Sequence, residues 1–308
     1  MKIAYLMVVH RNPKLLKRVI GMLSSGDSAF FIHVDRKTDI REFAAISGED
    51  VFFCEQRVAV HWGEFSQVEA TMRLLRQALA SSANYDYFAF LQGSDYPLRS
   101  GRYVQRFLEE NRGWEFINLV QMPAPGYSLS KINKLRYASD KPVRRFAARA
   151  LAKIGLAYRN YENYLKGLQA YAGQAWWTLS REACSYIVDF STRNPTLEKY
   201  FRNTFTADEM FFHTILGNSP FRSRLRRCLV FVDPDWSIAD DRRHRVSDKH
   251  LRVFESQEKV WVEDEWGSGE VLFARKFSDD NLGLIDRIDE MIRRKEGQAA
   301  NSLASVNA

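Results

Sequence analysis

Cysteine is scarce and scattered: Cys54, Cys184 and Cys228 are the only three in 308 residues, an odd number with no CxxC spacing. That excludes a disulfide framework and leaves a zinc site without its ligands, so all three are read as reduced core thiols. Long apolar runs are also missing. The opening stretch Ile3 to Val9 is too short for a signal peptide and too closely followed by His10 and Arg11, and no run approaches the roughly 18 apolar residues of a membrane span. The expectation is a cytoplasmic protein, soluble or peripherally attached at the inner membrane face. With no internal repeat and no Pro- or Ser-rich linker, residues 1–295 read as one continuous domain and 296–308 as a disordered tail. What is present is apolar and basic. A hydrophobic fraction of 45% is ample for a large core, and a net charge of +7 favours an anionic partner: a phosphorylated small molecule, a nucleic acid or an anionic membrane.

Ile3 to Val9 reads as a fully buried strand, with Pro13 opening a helix through Ser24, and Phe30 to Asp35 as a second strand. Strand, helix, strand at this spacing is a right-handed parallel crossover, and such α/β sheets bind ligands at the carboxyl ends of their strands. His10 and Asp35 lie at those ends; Asp35 suits either a ribose or base contact or a simple turn. Val51 to Phe53, Tyr87 to Leu91, Phe116 to Val120, Gln174 to Leu179 and Cys228 to Val232 are further strands, with helices over 67–80 and 181–190. Gly93-Ser94-Asp95 follows a central strand, a place where backbone approaches a ligand or where the chain merely turns. Lys141 to Lys166 is basic, a surface helical insertion extending to about 170, suited to an anionic membrane or to plain solvation. The paired Trp176 and Trp177 suit core packing or a platform for a sugar ring. Asp240 to Arg252 reads as a charged loop. In Val271 to Phe277, two adjacent cations, Arg275 and Lys276, interrupt an apolar segment, which calls for an anionic partner, either a phosphate or an internal carboxylate.

The central stretch is Thr206 to Leu216. Asp208 and Glu209 precede an apolar run without a breaker until Gly217, which places them in the first turn of a buried helix. Thr206 and Glu209 have the spacing of a capping box, and a carboxylate on a rigid helix end also suits a general base.

In order and spacing, Ile3 to Pro13, Ile32-His33-Val34-Asp35, Trp62-Gly63-Glu64-Phe65-Ser66 with Glu69-Ala70, Tyr85 to Ser100, Trp176 to Leu179, Asp208 to Phe212 and Leu272 to Phe277 resemble the core-2/I-branching glycosyltransferases. That family includes branching β-1,6-N-acetylglucosaminyltransferases and peptide O-xylosyltransferases. The resemblance is weak over 120–170, where the family takes its acceptors, and over 237–265. It implies a GT-A type, Rossmann-like α/β fold with a mostly parallel central sheet flanked by helices. It implies an inverting transfer of N-acetylglucosamine or xylose from a UDP-sugar to a glycan, glycolipid or protein hydroxyl, in cell-surface glycan synthesis. The family lacks the metal-binding Asp-x-Asp motif, and Asp95 is likewise alone here, so no metal or other cofactor is expected. By the same resemblance Glu209 is the base, Lys276 and Arg252 hold the diphosphate with Arg245 or Lys249 as substitutes for Arg252, and Val8, His10, Asp35 and Asp95 line the nucleotide and donor pocket. Trp176 and Trp177 are the candidates for the acceptor. The alternative, motivated by the net charge and the arginines at 242–252, is a basic nucleic-acid-binding protein without enzymatic activity; scattered cations and the absence of a known binding module argue against it.

Overall fold

The run Ile3–Val9 becomes β1, an interior strand of a seven-stranded sheet, where a strand covered on both faces needs apolar side chains throughout. Its side chains alternate. Ile3, Tyr5, Met7 and Val9 join the core on one face of the sheet, and Ala4 and Leu6 the core on the other. The computed structural model describes residues 1–135, 146, 158–233 and 245–306.

From β1 the chain turns at Asn12, whose φ of 61° suits an asparagine, into helix α1 (Pro13–Leu23), which buries Leu15, Leu16, Val19 and Leu23. It then enters β2 (Ser28–Val34), parallel to β1, and β3 (Val51–Phe53) at the sheet edge. Helix α2 (Ser66–Leu79) carries it back to β4 (Tyr87–Gln92), which pairs with β1 from the opposite side. The chain thus leaves β1 in one direction and returns on the other. That reversal opens a crevice above the carboxyl ends of β1 and β4.

Past β4 come β5 (Asp95–Pro97), helix α3 (Gly101–Glu110), β6 (Glu115–Ile117), β7 (Val120–Gln121), β8 (Tyr171–Ala172) and β9 (Trp177–Ser180). Later strands are β10 (Leu225–Arg226), β11 (Val230–Val232), the hairpin β12 (Trp261–Asp264) and β13 (Gly267–Glu270), and β14 (Phe273–Arg275). The main sheet has the order β10-β6-β9-β4-β1-β2-β3, in which only β9 runs antiparallel to its neighbours. A smaller sheet, β11-β14-β5, stands beside it. The mostly parallel α/β class expected from the sequence is what forms.

Two expectations change. The segment 296–308 is not a loose tail as far as Val306, because helix Leu282–Val306 runs through it. Ile285, Ile288, Met291 and Ile292 anchor that helix in the core, and its alanine-rich end contains no proline to stop propagation. Asp248–Ser256 is a helix capped by Ser247 where a charged loop was expected. The basic insertion at about 141–170 lies largely outside the described residues.

One glycine sets how closely the functional loop approaches the sheet. At Gly173 an added Cβ would stand 2.0 Å from the Asn118 carbonyl oxygen and 2.7 Å from the His213 ring. The same residue's N–H donates to the Glu209 carbonyl at 2.9 Å. Gly173→Ala is therefore expected to destabilise the fold by about 1–3 kcal/mol through overpacking, read as a lower urea midpoint. An unchanged midpoint would show that the contact relaxes without cost.

Candidate functional site

The start of β5 meets the end of β14 over the crevice. In their antiparallel register Asp95 lies opposite Arg275. Asp95 Oδ2 accepts from the Gln92 backbone N–H at 2.7 Å and from the Trp176 indole N–H at 2.8 Å. Arg275 Nε stands 3.6 Å from Asp95 Oδ1, its Nη1 donates to Gln92 Oε1 at 2.9 Å, and its guanidinium lies 4.2 Å from the centre of the Trp176 ring. Burial pushes the Asp95 carboxyl up, against the opposing pull of Arg275, the Gln92 amide, the indole and Lys276. Both charges sit away from water, so each depends on the other.

Three of the expected site residues, Asp95, Trp176 and Trp177, lie in this cluster or in the core beside it. Asp95, expected at the donor sugar, has its side chain enclosed: Oδ2 takes both hydrogen bonds, and Oδ1 faces Arg275 Nε at 3.6 Å with no hydrogen bond of its own. Trp176, 9% exposed, spends its indole on Asp95 and its face on Arg275. Trp177, 1% exposed, stacks on Phe90 at 5.6 Å inside the core. Neither tryptophan offers a free face to an acceptor.

Glu209 stands at the end of a 3-10 turn, Ala207–Glu209, rather than in the first turn of an α-helix. Thr206 has φ 50° and its side chain does not cap the helix; the Phe211–Gly217 helix begins only after Met210. The capping box therefore does not form. The reason is tertiary: the Thr206 N–H is taken by the Gly63 carbonyl at 2.8 Å, and the Glu209 carbonyl by Gly173. Freed from capping, the half-buried Glu209 carboxyl is pushed up to about 7 by burial and by the charge of Asp208, against Lys131 and a hydrogen bond from Thr206. Asp208 is also raised, by burial, with Arg275 among the groups opposing. His213 beneath this loop is fully buried, hydrogen bonded to the Gln174 carbonyl at 2.9 Å, and held neutral by desolvation.

Across the crevice, Asp35 forms the turn after β2. It accepts from the backbone of Lys37 at 2.9 Å and Val60 at 3.2 Å, and it pairs with the Lys37 ammonium at 2.8 Å. Although burial works to raise it, those partners hold its carboxyl below the usual range. The turn-forming reading is thus the one its bonds describe. Val8 is half-buried, in register with His33 and Gln92, and His10 is exposed with its carbonyl accepting from Thr38 at 3.0 Å.

Lys276 is half-buried and close enough to Asp95 to oppose its upward shift. Its carbonyl accepts from Val246 N–H at 3.2 Å, which brings Arg245 alongside in the chain. Arg252, the expected partner, is exposed on the Asp248–Ser256 helix instead. Two further cations gather here to which sequence reasoning assigned no site role of their own. Arg275 had been flagged only as one of an adjacent pair, while Arg11, directly after the β1 end, lies near enough to Arg275 to depress its pKa together with burial. Among the described residues, no three His, Cys, Asp or Glu side chains gather as a metal ion would need.

A family model described as Core-2/I-Branching enzyme matches residues 3–258. Xylosyltransferase 2 of Rattus norvegicus is 26% identical over 310 aligned positions, covering 94% of this chain and 33% of that protein; the Homo sapiens protein of the same name is 27% identical with the same coverage. The chain spans about a third of the length of these curated relatives. A solved galactosyltransferase, LgtC, in complex with donor and acceptor sugar analogs, superposes with a TM-score of 0.37 at 12% identity over 94% of this chain and 95% of that one. With the family model matching well over half of its length, this chain belongs to the Core-2/I-branching enzyme family.

Proposed function

We propose that this protein is an inverting, metal-independent glycosyltransferase that moves a sugar from a UDP-sugar to an acceptor hydroxyl, forming a β-glycosidic bond. The observation that carries the reading is the setting of Glu209: a carboxylate released from helix capping and held next to Asp208, whose charge together with burial raises its pKa. An acceptor hydroxyl loses its proton only as the new bond forms, and a base poised near neutrality is suited to take it. Attack from the Glu209 side expels UDP from the opposite face of the anomeric carbon, which inverts its configuration. The departing diphosphate gains negative charge, and Lys276 and Arg11 on the rim would stabilise that charge more in the transition state than before it. Arg275 contributes from behind the rim, held by Asp95 and Trp176. The relatives' name, xylosyltransferase, makes UDP-xylose the first donor to test and UDP-N-acetylglucosamine the second.

Calorimetric titration with UDP is expected to give the same affinity in EDTA as in Mg²⁺ or Mn²⁺, and weaker binding for Lys276→Ala. Binding that required metal would overturn the cation-only diphosphate site, and unchanged affinity in the variant would remove Lys276 from it. Glu209→Gln should lower turnover by about 10²- to 10⁴-fold while leaving UDP affinity intact; near-normal turnover would exclude Glu209 as the base. The base works only when ionised, so kcat/KM should rise as pH passes upward through neutrality and level off above it. Asp208→Asn removes the neighbouring charge that helps to raise Glu209 and should move this limb to lower pH. A limb that stayed in place would belong to another group.

A further inference from the structure

With Trp176 and Trp177 committed to the interior, a different tryptophan stands open. Trp62 is 79% exposed, and its indole meets Phe205 edge-on with ring centroids 5.2 Å apart. Its loop is held firmly. His61 N–H donates to Ser66 Oγ at 2.9 Å, Gly63 N–H to Gln67 Oε1 at 3.2 Å, and Glu64 N–H to the His61 carbonyl at 3.1 Å. Gly63 adopts φ 71°, and a Cβ there would stand 2.4 Å from the Phe205 ring, so close contact with Phe205 requires glycine. The Gly63 carbonyl takes the N–H of Thr206, and the Thr206 carbonyl takes that of Glu209 at 3.0 Å. One short chain of backbone bonds thus joins the Trp62 loop to the turn that carries the base.

A tryptophan left in water on a pinned loop forgoes a large apolar burial, while its flat face suits the C–H face of a pyranose ring. We propose that Trp62 is the aromatic platform for the acceptor, stacking against a pyranose ring so that one of its hydroxyls reaches Glu209. The assignment rests on the glycosyltransferase reading above. It gives the protein an acceptor class, a pyranoside, and places its recognition on the loop before α2.

The test uses the full chain with UDP-xylose and UDP-N-acetylglucosamine as donors. Methyl β-pyranosides of galactose, glucose, N-acetylglucosamine and mannose serve as acceptors. Donor hydrolysis and UDP affinity are followed alongside. The expected result is wild-type transfer to at least one of these pyranosides, with Trp62→Ala raising its KM about tenfold, as a lost stacking contact would. In that variant kcat, UDP affinity and donor hydrolysis should stay within about twofold, a ratio worth less than half of a tenfold step in free energy. Trp62→Phe should recover most of the loss. An unchanged acceptor KM in Trp62→Ala would overturn the platform, as would a wild type that binds UDP and hydrolyses the donor yet transfers to none of the four pyranosides. A wild type that neither binds UDP nor hydrolyses either donor would overturn the glycosyltransferase reading itself, and the platform with it.

Discussion

The pairing of Asp95 with Arg275 is the constraint around which the crevice is built. Two opposite charges removed from water repay their desolvation only when geometry and further hydrogen bonds are good. Here the β5–β14 register sets them face to face, Gln92 bonds to both side by side, and Trp176 contributes its N–H to one and its ring to the other. The cluster ties four segments together: the end of β4, the start of β5, the approach to β9 and the end of β14. Each of them borders the space where β1 and β4 finish.

The same cluster reaches both halves of the proposed chemistry. Arg275 acts on Asp208, the neighbour of Glu209, and is itself influenced by Arg11 on the β1 rim. A guanidinium buried among these groups is held in place by Asp95, Gln92 and Trp176 and does not depend on a mobile side chain. The Glu209 carboxyl is raised by burial and by the charge of Asp208, and its turn is stitched to Gly63 on one side and Gly173 on the other. Both stitches pass through glycines whose missing side chains leave room for Phe205 in one case and His213 in the other. The position of the carboxylate therefore depends on packing at two sites outside its own segment.

Much of this was legible in the chain itself. β1, α1 and α2 follow from apolar periodicity and from Pro13, and the parallel crossover follows from their spacing; together they locate the crevice and place His10, Asp35 and the 93–95 turn on it. Glu209 stood out because two acids before a long apolar run need an explanation. The tryptophans did not sort themselves, since Trp62, Trp176 and Trp177 have the same composition signal and differ only in what surrounds them. Arg252 shows the same limit: a run rich in cations shows that charge is available but does not show that Arg252 lies exposed on a helix.

The sequence by itself determined the α/β class, the main strands and the candidate base, because local periodicity and turn chemistry act over a few residues and leave their mark there. Tertiary structure alone decided that Thr206 would bond to Gly63 and not cap a helix, that Asp95 would pair with Arg275 across 180 positions of chain, and that Trp62 would remain in water while Trp177 did not. Those outcomes depend on register between distant strands and on the desolvation of paired charges. Both are properties of neighbours that come together only when the sheet has formed.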